Sequence, residues 1–485
     1  MKNNLKTSNY TSAFAVLVSV FFFWGFVAAS NDILIPVFKE KLKLEQWQSQ
    51  MISFAFYVAY TVGSLIYYAF SVVLKKDLLS GIGYKNGIAL GLVISAIGTF
   101  LFYPAAQLSS FVVMITGLFI VGLGFSLQQT AANPLAIVMG DPSKGSQRLS
   151  LAGGINNLGT TIGPLIISYA IFGTVGGGSK PDISIDSIKL PYMLLGLSFL
   201  IVALIFKFSP IPDLIHTKDS DEINPDNKPI RSALRYPQLV LGMVAIFVYV
   251  GVEVSTASNL PEFMRQEMNG YSTEKIAPYV SLFWASLMMG RWTSSVGALN
   301  LRAGSKKMLQ FFMPYIAFGV FLSVNIVAKQ DVSSLYIYGV LILILIIADI
   351  LSKGSPSRQL LIYSLLGILA LCVGIFASGL VSVYAFISVG LFCSTLWPCI
   401  FTLAITGLGK NTSQGSGFLI MMIMGGGVVS LLQGYLADEN RLGIQNSYIV
   451  GVLCFAYLAF YAWQVKSIFK KQNIEISDNA PGIGH

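Results

Sequence analysis

Fourteen apolar runs, each long enough to cross a bilayer and separated by short polar stretches, leave this chain few folds to adopt. The runs fall at roughly 12–38, 48–74, 81–104, 109–138, 148–174 and 191–209, then at 237–264, 276–299, 307–328, 334–352, 359–378, 380–407, 412–437 and 445–468. Lipid offers no hydrogen bonds, so such runs must satisfy their backbone internally as helices. Only 11% of the 485 residues are charged while 54% are hydrophobic, too few charges to coat a soluble protein of this length. An all-α polytopic membrane protein is the expected class. The net charge of +9 does not point to nucleic acid, because the basic residues sit in short loops between apolar runs.

With the N-terminus in the cytoplasm, Lys and Arg concentrate in the inner loops, which predicts an even number of spans and both termini inside. The N-terminus lacks a cleavage pattern, so the first run is expected to be retained as a helix. The segment 210–236 is Pro-rich and mixed in charge, as a cytoplasmic linker would be. It divides the chain into a six-helix bundle over 1–209 and a longer bundle over 237–468, followed by a cytoplasmic tail over 469–485. The second bundle has two runs more than the first. Its surplus fits best at about 307–352, a pair expected to pack peripherally.

Within these runs a few residues are expensive in lipid. Asp32 interrupts the first run and Glu253 the seventh, and an ionised side chain there needs a cavity or a partner. Both are expected to couple a cation, either a proton or, with a nearby carbonyl or hydroxyl, sodium. The competing reading for each is a permanently paired structural acid. Arg291 in the eighth run is expected to be a structural intramembrane charge with Glu253 as its partner. Weak echoes between the halves support a repeat architecture: Asp32 precedes Pro36 much as Glu253 precedes Pro261, and Trp24 and Tyr249 stand at equal distances from those prolines.

Gln129, Asn133 and Asn156 bring amides to membrane depth, where they can bond sugar hydroxyls or neighbouring helices. Asn133-Pro134 reads first as a helix break or a tie to a neighbour, and second as a substrate contact. Trp24, Tyr249, Trp284 and Trp397 offer ring faces that stack on the apolar faces of a hexose, or simply pack. The four cysteines lie in apolar runs without metal-type spacing and read as small buried hydrophobes. No bound cofactor or metal is expected, and no nucleophile triad or phosphate loop suggests an enzyme.

Several blocks give the chain a resemblance. Trp24 is followed by Asp32-Ile33-Leu34-Ile35-Pro36, Ala131-Ala132-Asn133-Pro134 ends the fourth run, and INNLGTT spans Ile155 to Thr161. The longest blocks are GLFCSTLWPCIFTLAITGLGKNTSQGSG and GGGVVSLLQGYLAD, the latter ending at Asp438. In these residues the chain resembles the fucose–galactose–glucose:cation symporter family of the major facilitator superfamily. The resemblance implies that superfamily's fold, two six-helix bundles, here with two extra helices. It also implies a hexose substrate and alternating access driven by a proton or sodium. Asp32 matches the first-helix acid of the fucose branch, but Gln129 stands where that branch has its fourth-helix acid. Gly153 stands where the fucose branch has a sugar-contacting amide. The glucose/galactose branch is similar at these places, with Gln before Ala-Ala-Asn-Pro and a Glu-Val-Ser matching Glu253-Val254-Ser255.

The expected function is therefore import of a hexose such as glucose or galactose across the cytoplasmic membrane by a monomer. Asp32 would couple the cation, and Gln129, Asn156, Glu253 and Trp397 would line the sugar cavity. Two alternatives stand beside it: transport of another neutral solute (an amino sugar, fucose or a drug), and a non-transporting membrane sugar sensor. A sensor is expected to carry a sizeable output domain, and the segments outside the runs are short.

Overall fold

The computed structural model describes residues 13–27, 46–73, 78–172, 189–209, 232–268, 273–299, 301–438 and 440–474. All regular elements among them are helical. Fourteen long segments meet the fourteen apolar runs. They are α1 (Ala13–Val27), α2 (Gln46–Val73), α3 (Tyr84–Gln107), α4 (Phe111–Val138), α5 (Gly145–Phe172) and α6 (Lys189–Phe208). After them come α7 (Pro237–Glu267), α8 (Thr273–Ser295), α9 (Ala303–Val327) and α10 (Ser333–Ser352). The last four are α11 (Pro356–Phe376), α12 (Gly379–Ile405), α13 (Gly409–Leu436) and α14 (Gly443–Lys471). Eleven of the segments are long and apolar enough to cross a membrane.

Prolines place the irregularities. In α3 the helix is interrupted at Leu101, between Tyr84–Phe100 and Phe102–Gln107, because Pro104 cannot bond back to the carbonyl one turn earlier. In α12 regular helix stops at Cys393 and resumes at Leu396, just before Pro398. Pro398 has no N–H for the Ser394 carbonyl, which is thereby freed for another donor. Pro134 acts differently, since α4 continues through it to Val138. The freed Thr130 carbonyl accepts instead from Ser416 Oγ of α13 at 2.8 Å. Of the two structural readings of Asn133-Pro134, the tie to a neighbour holds and the break does not.

The chain divides into two compact units. One comprises residues 1–140, 158–236 and 405–423, the other 141–157, 237–404 and 424–485, so two of the dividing points fall within α5 and α13. In the first unit α4 packs against α2 and α3, and α3 against α6. A glycine seam lets α3 and α4 approach: a Cβ at Gly91 would lie 2.7 Å from the Gly124 carbonyl oxygen, and one at Gly98 would lie 2.6 Å from that of Gly117. Small residues at such crossings replace the hydrophobic drive that lipid does not supply.

In the second unit α7 packs on α14, on the later part of α13 and on α12; α11 sits between α12 and α14; and α8 contacts α12. The surplus pair hangs on this core, α9 on α8 and α10 on α11 and α12. Much of the pair's surface, including Met308, Phe312, Ile347 and Leu351, is exposed. From Val340 onward α10 carries no polar residue until Asp349. Asp349 is buried near its end and accepts from Gln310 Nε2 of α9 at 3.2 Å and from Gln359 Nε2 of α11 at 3.1 Å.

The glycine seam is testable. Gly124→Ala drives a methyl into the α3 backbone and should cost about 1–3 kcal/mol of stability, the usual range for overpacking. Gly319→Ala in α9, whose Cβ would meet nothing within 4 Å, should leave thermal unfolding unchanged or raise it.

Candidate functional site

Arg291 lies in α8, where a guanidinium cannot shed its charge and so must find acceptors. It finds four. Its Nε donates to the Ser394 carbonyl at 2.9 Å, the one that Pro398 frees in α12. One terminal nitrogen donates to Asn157 Oδ1 at 2.6 Å and to the Gly153 carbonyl at 3.3 Å, both in α5. The other donates to the Tyr249 hydroxyl of α7 at 3.3 Å. A Cβ at Gly153 would stand 3.2 Å from the guanidinium, a tight contact that the glycine avoids.

Tyr249 and Glu253 are one helical turn apart on α7 and share a face. Arginine can only donate, so the Tyr249 oxygen accepts from it and points its own O–H at the carboxylate. That hydroxyl donates a short bond to Glu253 Oε2. The expected direct pairing of Glu253 with Arg291 is therefore corrected in detail. Among the described residues the two charges form no ion pair, and Tyr249 stands between them. Glu253 Oε1 has no protein partner among the described residues, and the side chain is partly exposed. Beside this relay the Trp397 ring lies 6.3 Å from that of Tyr249 and 5.8 Å from that of Phe401. Trp284 is about one-third exposed on α8, in edge contact with Phe283, and two turns before Arg291 on the same helical face.

A second polar group lies within the other unit. The Trp24 indole of α1 is buried and donates to Gln128 Oε1 at 2.8 Å, and Gln128 Nε2 donates to Ser95 Oγ of α3 at 2.9 Å. Gln129, next in sequence but turned about 100° around the helix, donates to the Tyr60 hydroxyl of α2 at 2.9 Å and is partly exposed. Asn133 is buried, with its Nδ2 unpartnered among the described residues. Asp32 lies outside the described residues. Asn156 is partly exposed, whereas its neighbour Asn157 is buried and holds Arg291.

Sequence reasoning chose Gln129 and Asn156 as site residues over their neighbours Gln128 and Asn157. The only signal for the latter two is that each amide comes as an adjacent pair, one of which must face inward. The four cysteines are free, three buried and Cys372 partly so, and among the described residues no cluster could hold a metal ion.

The Major Facilitator Superfamily pattern matches residues 13–328. The chain belongs to the Major Facilitator Superfamily. Among its relatives in that superfamily is the glucose/galactose transporter of Brucella abortus (strain 9-941), 34% identical over 459 residues, which cover 93% of this chain and 94% of the relative. The L-fucose-proton symporter of Escherichia coli K12 is 27% identical over 472 residues, covering 94% of each chain. The crystal structure of the superfamily transporter FucP in its outward conformation matches with a TM-score of 0.70 at 26% identity, covering 94% of this chain and 99% of that one. This superfamily member is a multi-pass membrane protein of the transporter class, not an enzyme.

The relay can be tested within this superfamily member directly. Tyr249→Phe should cost about 1.5–3 kcal/mol, as loss of a hydrogen bond to a charged group does. Combined with Glu253→Gln it should fall short of additivity by at least about 0.5 kcal/mol in thermal unfolding. Strict additivity would show that the two side chains do not act together.

Proposed function

We propose that this protein is a symporter that couples inward movement of a cation, proton or sodium, to import of a hexose such as glucose or galactose. One observation carries the reading at the level of the site. Glu253, an acid inside α7, keeps one carboxyl oxygen without a partner among the described residues, beside the Trp397 and Tyr249 rings. A hexose needs that combination, an aromatic plane for its C–H face and a strong acceptor for its hydroxyls. The names of the relatives, a glucose/galactose transporter and an L-fucose-proton symporter, agree with it.

In this reading the sugar lies against Trp397 and bonds Glu253, while Gln129 and Asn156 supply amides and Trp24, Asn133 and Trp284 complete the lining or support it. Arg291 is structural, holding α5, α7 and α12 in register so that Glu253 is presented correctly. Asp32 is the coupling carboxylate, and Glu253 shares that role through Tyr249. Cation and sugar together favour the loaded occluded state, so the carrier converts between its two openings only when both or neither are bound. The protein works as a monomer without a bound cofactor in the bacterial cytoplasmic membrane, both termini inside, with bundles over 1–209 and 237–468 joined by the linker 210–236. The pair near 307–352 is an addition to the transport core.

Uptake in proteoliposomes under separate proton and sodium gradients tests the assignment. Wild-type protein should accumulate glucose or galactose under one gradient, and Asp32→Asn should abolish accumulation while sparing exchange of labelled for unlabelled sugar. Glu253→Gln should weaken both. Accumulation by Asp32→Asn against a gradient would remove the coupling assignment. Failure of every hexose to exchange would remove the substrate class.

A further inference from the structure

The Asp349 clamp has a consequence for the surface around it. By bonding Gln310 of α9 and Gln359 of α11, the buried carboxylate holds three helix ends at one level. Those ends are basic. Arg302, Lys306 and Lys307 lie about one to two turns before Gln310, Lys353 lies one turn after Asp349, and Arg358 adjoins Gln359. The turn that joins α10 to α11 is short, with Lys353 and Gly354 both in left-handed backbone (φ 51° and 71°) and Pro356 in the first turn of α11. Lys353 and Arg358 are thus kept near one another.

Within the α9–α11 segment itself, few acids accompany these cations. Between residues 299 and 360 the acids are Asp349, which is buried, and Asp331, which lies beyond the opposite end of α9. Lys306 is within electrostatic reach of Asp349 and also of Lys144, another cation. Among the described residues the side chains of Arg302, Lys307, Lys353 and Arg358 make no hydrogen bond or ion pair. Directly beside them the helix faces turn apolar and exposed, with Met308 62% exposed and Leu351 58% exposed, and Phe312 and Ile347 alongside.

The geometry points to a binding site for anionic phospholipid at this end of the α9–α10 pair. The unpaired cations take the phosphate, to which Arg and Lys bond readily. The exposed apolar side chains one turn away take the acyl chains. Basic pockets between membrane helices recognise lipid headgroups in this way, each cation contributing on the order of 1 kcal/mol. The site belongs to the added pair and stands apart from the Glu253 relay, so it holds whatever sugar the protein carries. A lipid seated there would bridge α9, α10 and α11 and supply a counter-charge that these cations lack among the described residues.

Native mass spectrometry of the detergent-solubilised full chain, titrated with phosphatidylglycerol and with phosphatidylcholine, tests this. The wild type should retain phosphatidylglycerol in preference to phosphatidylcholine. The double variant Lys307→Gln/Lys353→Gln should bind it roughly 25-fold more weakly, about five-fold for each cation. The double variant Lys470→Gln/Lys471→Gln, which removes two cations from the end of α14, should bind like the wild type. Both pairs are exposed, and matching melting temperatures will show that the fold is intact. Equal retention of the two lipids, an equal loss in the α14 variant, or displacement of phosphatidylglycerol by millimolar inorganic phosphate would each overturn the proposal.

Discussion

A guanidinium inside α8 organises the second unit. Arg291 cannot be neutralised by losing a proton, so its burial is tolerable only if the surrounding helices turn acceptors toward it. They do so by three local devices. A proline in α12 frees the Ser394 carbonyl, a glycine in α5 clears the space that a side chain would fill, and a tyrosine in α7 offers its hydroxyl. Each device is weak alone. Together they fix α5, α7, α8 and α12 around one charge, and they orient Tyr249 so that its proton faces Glu253.

That orientation gives Glu253 its character. With Tyr249 donating to one oxygen and the positive charge beyond it, the acid is held in place without being consumed by an ion pair. A direct salt bridge would have engaged the carboxylate more fully and left less for a ligand. The substitution of Gly153 for an amide, read from the resemblance as a departure from the fucose branch, gains a physical reason. A Cβ at this position would crowd the arginine at 3.2 Å.

The succession of helices was legible because lipid enforces it: every span must carry its own hydrogen bonds and an apolar surface, and both are written in local sequence. The four-residue spacing of Tyr249 and Glu253 on one helix is also local, but Tyr249 was read as a ring for the sugar and not as the partner of Glu253. What escaped was set by tertiary approach. Two of the four acceptors for Arg291 are backbone carbonyls, which every residue has, so sequence pointed instead to the nearest acid. Adjacent amides at 128–129 and 156–157 differ only by a rotation about the helix, and composition does not say which of each pair turns inward. The partners of Asp349 could not be read from its own run, because both glutamines come from other helices. The proline at 134 was legible as a disturbance, but whether it would break α4 or free a carbonyl for Ser416 depended on a helix distant in sequence.

The central claim is that Glu253 Oε1, left open by the Arg291–Tyr249 relay, receives the sugar. Equilibrium binding of labelled glucose and galactose to the purified protein tests it most directly, because binding needs neither a gradient nor turnover. Loss of a hydrogen bond to a charged group is worth about 1.5–3 kcal/mol, so Glu253→Gln should weaken binding by roughly ten- to hundred-fold. Binding by Glu253→Gln at wild-type strength would contradict the account.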